Sequence, residues 1–183
     1  FVNYLSDLSF DLHTGSGNIF WSIILLIASC NVLFFMYTGA LISYKRLKPK
    51  MKNKFAPYNA ECIILVGSEN GSTAHFGNLL QKSLLKAGES VFIDDLNHVQ
   101  EYSKMKQLVI ITSTYGDGDP PTNAIHFIDR AKHLLPKKKF NYAIVGLGSL
   151  AYKNYCGFAL KIESFIKGME GPISILDPHL IHN

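Results

Sequence analysis

The sequence predicts an α/β fold, a doubly wound five-stranded parallel sheet, preceded by one transmembrane helix. Two observations carry that expectation. From Pro57 onward short β-branched runs alternate with segments of helical period, the pattern of strands joined by crossover helices. Ahead of them, Ile19 to Ser43 runs 25 residues without a charge and ends in a basic cluster.

A hydrocarbon core of roughly 30 Å needs about 20 helical residues, so the uncharged stretch is long enough to span. A signal peptide would place its positive residues before a short apolar core; here they follow a long one. Trp21, Tyr37 and Tyr44 fall toward the two ends, where amphipathic rings favour the interface. Lys45, Arg46, Lys48, Lys50, Lys52 and Lys54 follow with no acid among them, which predicts that residues 45 to 183 lie on the cytoplasmic side. The layout is then an extracytoplasmic segment, 1–18, a transmembrane helix, 19–44, a basic juxtamembrane linker, 45–60, and the α/β domain, 61–183. Because the chain opens on Phe1 rather than Met, further membrane helices are expected upstream.

Net charge is +4, and 48% of the 183 residues are hydrophobic against 17% charged, which excludes a disordered chain. Residues 55 to 183 carry twelve basic and twelve acidic side chains, so the excess charge sits in the juxtamembrane run beside the lipid bilayer. A nucleic-acid-binding domain would spread it over a folded face. Cys30, Cys62 and Cys156 form no C-x-x-C pair, which fits reduced thiols and gives no metal cluster.

Strands are expected at Glu61 to Gly67, Ser90 to Asp94, Gln107 to Thr112, Asn141 to Gly146 and Pro172 to Leu176. Helices are expected over about 73–87, 122–135 and 155–167, with a short irregular turn between Asn97 and Lys106. Only six residues follow Asp177, so a covering helix is expected beyond the end.

Doubly wound sheets bind ligands at the carboxyl ends of their strands, so the loops there carry the chemistry. After the first strand, Gly67-Ser68-Glu69-Asn70-Gly71-Ser72-Thr73 places small hydroxyl residues and a permissive glycine at a helix start, a phosphate cradle. It lacks the Lys and the spacing of a nucleoside triphosphate loop, and the bland alternative is a Ser/Thr helix cap. After the third strand, Ser113-Thr114-Tyr115-Gly116-Asp117-Gly118-Asp119-Pro120-Pro121-Thr122-Asn123 presents Tyr115 at the apex of a rigid turn, suited to stacking on a planar ring. After the fourth, Gly146-Leu147-Gly148-Ser149-Leu150-Ala151-Tyr152-Lys153-Asn154-Tyr155 offers a second aromatic, Tyr152. It also reads G-x-G-x-x-A, but Asp177 lies later than a dinucleotide fingerprint prefers.

Together these three loops resemble the FMN-binding, flavodoxin-like domain of the diflavin reductases, the sulfite reductase flavoprotein and the microsomal haem-protein reductases among them. The resemblance covers roughly residues 61 to 177. It implies that Ser68, Glu69, Asn70, Gly71, Ser72 and Thr73 hold the FMN phosphate and that Tyr115 and Tyr152 flank the isoalloxazine. Ser113, Thr114 and Asp117 would complete the first flavin loop, with Gly116 offering its carbonyl to the flavin N5–H. Leu147, Gly148, Ser149, Asn154, Tyr155 and Cys156 would line the ribityl and ring edge. Two departures stand out: Ser149 where the family usually has Asn, and Asp177-Pro178-His179 in place of an acidic G-D-D stretch.

The apolar helix, flanked by D-L-H-T-G-S-G and T-G-A-L-I-S-Y-K-R, is similar to the final span of PepSY-associated membrane proteins. That likeness implies reduction of iron or a ferric siderophore, with haem as a further acceptor and His13, in what reads as a polar loop, as a candidate ligand.

The function expected is membrane-anchored FMN-dependent electron transfer, an oxidoreductase component fed by an FAD/NADPH reductase domain. Glu69, Asp117 and Asp119 near the ring would lower its potential by like-charge repulsion. Alternatives are a flavin-free docking module and an NAD(P)-binding domain. No catalytic side chain and no metal ligand is assigned in the α/β domain; His75, His98, His126 and His133 receive no role, and His179 and His182 are placed in a frayed end.

Overall fold

A computed structural model describes residues 2–16, 18–46, 51–69, 71–135 and 139–182. The chain divides into two units, Phe1–Lys48 and Pro49–Asn183.

In the first unit α1, Val2–Thr14, and α2, Ile19–Arg46, are joined at Gly15, whose left-handed φ of 75° reverses the chain. The Trp21 indole donates to the Leu12 carbonyl at 2.7 Å, and Ser22 Oγ donates to that of Gly15 at 2.6 Å. Residues 2–14 are thus helical, and His13, expected in a polar loop, sits on α1 with Nδ1 2.8 Å from the Ser9 carbonyl. The turn at Gly15 returns the chain onto its own last helical carbonyls, and that local pairing carries the helix to Thr14. Ile19–Tyr44 is long and apolar enough to cross a membrane, by length and composition. Its polar side chains bond back to carbonyls one turn earlier, Ser29 to Leu25, Asn31 to Ile27 and Thr38 to Phe34. A helix in hydrocarbon needs such internal satisfaction.

The second unit is a parallel α/β sheet. In chain order it contains β1, Cys62–Gly67; α3, Ser72–Lys86; β2, Val91–Asp95; β3, Gln107–Ser113; α4, Phe127–Leu134; β4, Asn141–Gly148; α5, Gly157–Lys167; β5, Ile173–Ser174; and β6, His179–His182. Strand order is β2-β1-β3-β4-β5, with β6 also on β4, and every pairing is parallel. Alternation of side chains divides the core into two layers. Cys62, Ile64 and Val66 face the α3 side, while Ile63 and Leu65 join Leu108, Ile110, Phe127 and Ile162 on the side of α4 and α5. Gly77 lets α3 approach, since a Cβ there would meet Val66 Cγ2 at 2.8 Å.

Three expectations are corrected. The helix expected over 122–135 is a 3-10 turn, Thr122–Ala124, followed by α4, because the Asn97 side chain takes the His126 N–H and donates to the Thr122 carbonyl, fixing the chain between them. The fifth strand is interrupted: Asn141 pairs with Ile173 and Val145 with His179, so the outer strand carries two extra residues, and its second half is β6. His179 and His182 therefore lie in a paired strand. Within the segment expected as linker, the Asn53 amide occupies the open edge of β2, with Nδ2 donating to the Ile93 carbonyl and Oδ1 accepting the Ile93 N–H, both at 2.8 Å.

Candidate functional site

Register places the three loops side by side, since Gly67 pairs with Thr112 and Thr112 with Gly146. The chain leaves β1 toward β2 on one side and returns to β3 on the other, so this rim is the switch point of the sheet.

In the first loop Gly71, with a left-handed φ of 82°, precedes α3 and donates its N–H to Ser68 Oγ at 2.9 Å. Thr73 lies fully buried in the first helical turn, and its Oγ1 has no protein partner. A buried hydroxyl at the positive end of a helix is placed to donate to an acceptor. Ser72 is exposed beside it, and Asn70 lies outside the described residues. The Glu69 carboxylate turns across to the neighbouring loop, accepting the Thr122 N–H at 2.8 Å and the Thr122 hydroxyl at 3.3 Å.

In the second loop Tyr115 and Asp119 exchange both backbone hydrogen bonds, at 2.9 and 2.8 Å, around a tip where Gly116 and Gly118 have φ of 49° and 102°. Tyr115 therefore stands at the base of a small hairpin, not at its apex, with 60% of its surface exposed. Ser113 Oγ reaches the Gly67 carbonyl at 3.3 Å, and the Thr114 N–H reaches that of Leu147 at 2.9 Å, tying the loop to both neighbours. Thr114 Oγ1 is a second buried hydroxyl without a partner. Asp117 points at the third loop, its carboxylate accepting the Asn154 N–H at 3.3 Å and its carbonyl the Asn154 amide at 3.0 Å.

The third loop starts later than expected, because Leu147 and Gly148 still belong to β4. A turn follows, in which Ser149 accepts the Ala151 N–H on its hydroxyl and the Tyr152 N–H on its carbonyl. It presents Tyr152 with 53% exposure. Leu147 and Cys156 are buried in the core, so their side chains do not line the rim as expected, and Tyr155 packs on the same core. Cys156 takes a left-handed φ of 51° as it enters α5, and burial pushes its thiol up from the ordinary value. Gly148 has no room for a side chain, since a Cβ would stand 3.0 Å from both the N and Sγ of Cys156. No helix opens directly on the glycines of this loop, so the geometry of a dinucleotide fingerprint is not formed.

Two contributors escaped the sequence reading. Asn123 accepts the Ser68 N–H at 2.7 Å and donates to Asp95 Oδ1 at 2.7 Å. His182, in register with Gly148, accepts the Leu150 N–H on Nδ1 at 3.3 Å. Asn123 lies in the 3-10 turn Thr122–Ala124 after two prolines, a visible turn signal; the role of His182 depends on the strand interruption, which leaves no local mark. Burial pushes the Asp95 carboxyl above the ordinary value, opposed by the Asn123 hydrogen bond. Asp94, Asp95 and His98 lie close together, but Asp94 already meets His98 Nδ1 at 2.9 Å and Asp95 meets Asn123.

A doubly wound parallel sheet with a buried, unpartnered hydroxyl at a helix N-terminus and two exposed rings on its carboxyl rim has the make-up of a nucleotide-cofactor-binding α/β protein. Residues 64–174 match the flavodoxin family, and the chain belongs to it. Among curated relatives, NADPH oxidoreductase A of Dictyostelium discoideum is 32% identical over 137 residues, 71% of this chain and 22% of that protein. The sulfite reductase [NADPH] flavoprotein alpha-component of Bacillus subtilis is 23% identical over 115 residues, 61% of this chain and 19% of the relative. The chain thus spans about a fifth of the length of these two relatives. Among solved structures, oxidised flavodoxin 2 from Bacillus cereus superposes with a TM-score of 0.60 at 20% identity, over 67% of this chain and 84% of that one. A Streptococcus pneumoniae TIGR4 flavodoxin gives 0.58 at 19% identity, over 67% and 83%.

The cofactor of this family is FMN. The residues present fit it, because the two orphaned hydroxyls, Thr73 Oγ1 in the first turn of α3 and Thr114 Oγ1 just after β3, lie on one rim.

Proposed function

We propose that this chain is a membrane-anchored electron-transfer module, in which FMN lies with its phosphate over 68–73 and its ring between Tyr115 and Tyr152. The buried, unpartnered Thr73 hydroxyl at the start of α3 carries the reading, because an acceptor there both completes its bonding and meets the helix dipole. Bound FMN supplies the exchange between two-electron donors and one-electron acceptors. The chain's own residues bind and orient. Ser72 and Thr73 hold the phosphate, Ser113, Thr114 and Ser149 flank the ribityl chain, and the hairpin at Gly116 presents a carbonyl to the ring edge. Glu69, Asp117 and Asn154 act from behind, holding the loops to one another.

The donor is an FAD-bearing reductase module, and the NADPH in the names of two relatives supports NADPH as its reductant. The acceptor is haem or ferric iron, reached through the membrane part, with α2 as a single span and residues 45 onward in the cytoplasm. His13 is a candidate haem ligand there: its Nδ1 contact with the Ser9 carbonyl leaves Nε2 for a metal, the usual arrangement of a ligating histidine.

The test is the absorption spectrum of the full chain, purified in detergent with FMN and then desalted. Flavin bands that stay with the wild type and weaken in Tyr115→Ala/Tyr152→Ala support the reading. A folded, colourless protein indifferent to FMN refutes it.

A further inference from the structure

We infer that Asn123 is the positioning residue of the phosphate subsite, a role that rests on the FMN reading and extends it. Its single planar amide joins three segments. Oδ1 accepts the N–H of Ser68 at 2.7 Å, while Nδ2 donates to Asp95 Oδ1 at 2.7 Å and to the Val66 carbonyl at 3.3 Å. Only this orientation of the amide satisfies all three, since its reverse would set donor against donor at Ser68 and acceptor against acceptor at Asp95.

The bond to Ser68 is half of a reciprocal clasp. Asn123 gives its side chain to the backbone of the phosphate loop, and Glu69 of that loop gives its side chain to the backbone of Thr122. A loop that contains a left-handed glycine has many shapes open to it. The clasp fixes the loop's first residues, Ser68 and Glu69, before any ligand arrives, lowering the ordering cost of binding. Because the Ser68 N–H is spent on Asn123 and the Gly71 N–H on Ser68 Oγ, the Thr73 hydroxyl is the buried donor left for the ligand.

The ring subsite does not depend on this amide. Asn97 holds the Thr122 carbonyl at 3.0 Å and the His126 N–H at 2.8 Å, so the turn stays anchored without Asn123. Tyr115 is fixed by its own pairing with Asp119. Loss of Asn123 therefore acts on the phosphate and spares the flavin ring.

That difference is the test. The full chain in detergent is titrated with FMN and, separately, with riboflavin, which keeps the ring and ribityl chain and lacks the phosphate. In Asn123→Ala, one unsatisfied loop donor predicts FMN affinity lower by about tenfold or more and riboflavin affinity within about threefold of wild type. Equal losses for both ligands mean a general structural role and overturn the assignment, as does unchanged FMN affinity. Should Asn123→Ala not fold, Asn123→Gln takes the same measurement, because its extra methylene prevents the three contacts at once while keeping a polar amide. A wild type that binds neither flavin overturns the FMN reading and this assignment with it; a wild type that binds both, with an unchanged FMN-to-riboflavin ratio in the variants, overturns this assignment alone.

Discussion

Gly67→Ala is the substitution whose cost can be worked most directly from the structure. Gly67 ends β1 and feeds the phosphate loop, and its missing side chain makes room for two neighbours. A Cβ there would overlap Thr112 Oγ1, with Leu96 Cδ1 at 2.7 Å and Thr112 Cβ at 3.1 Å. Thr112 is fully buried at the middle of the sheet and stiff about χ1, so it yields little. Overpacking of this kind costs about 1–3 kcal/mol. At about 2–4 °C per kcal/mol for a chain of this size, the melting temperature should fall by roughly 2–12 °C. Differential scanning fluorimetry or a urea midpoint reads the change, and Thr112→Ala supplies the internal control. Removing the Thr112 hydroxyl and methyl relieves most of the overlap, so the double variant should lose less than the two singles together, by about 0.5 kcal/mol or more. A Gly67→Ala protein as stable as wild type, or strictly additive losses, would refute the close-packing argument.

Three other outcomes are expected. Asp95 has a folded pKa raised by burial, so its contribution is present below the ordinary carboxylate value and is lost as pH rises through the raised one. Asp95→Asn keeps an acceptor for Asn123, so it should gain stability over wild type as pH rises from 3 to 7 in paired urea melts; a constant difference contradicts this. Burial, followed by the nearby charge of Glu89, pushes the Cys62 thiol up to about 11. Iodoacetamide at neutral pH should therefore leave Cys62 unmodified in the folded protein and label it in denaturant, as read by peptide mass spectrometry. His182→Ala should weaken FMN binding several-fold by freeing the Leu150 N–H, and His182→Asn, whose Oδ1 falls near the imidazole Nδ1, should restore it. If the Asn variant binds as poorly as the Ala variant, the hydrogen bond is not what matters.

Strand positions, sheet class and the three rim loops were legible because each is written locally. Short β-branched runs and segments of helical period mark the elements, and glycines with hydroxyl residues mark the turns. What escaped was long-range. Nothing near Glu69 tells that its carboxylate crosses 53 residues of sequence to Thr122, or near Asp117 that it is held by Asn154. Cys156 and Leu147 sit in motif positions that read as pocket lining. Their burial follows from the extension of β4 through Gly148 and from the left-handed turn into α5, neither of which has a periodic signature. The helix at 2–14 carries Leu5, Leu8 and Leu12 at helical spacing, a signal that the polar-loop reading around His13 passed over.

The Asn53 amide has a practical consequence for anyone separating the α/β unit from the residues that precede it. β2 is the outermost strand on its side, and unpaired edges recruit other chains. Asn53 saturates Ile93, Gln81 fastens it through Oδ1 and the Lys52 carbonyl, and Met51 and Phe55 pack on opposite layers of the core, so residues 51–55 form a hem folded around the margin of the sheet. Trimming the chain at Phe55, where the basic run has just ended, would unpick that hem. The trimmed protein would then self-associate through the bared strand while its flavin rim remained intact.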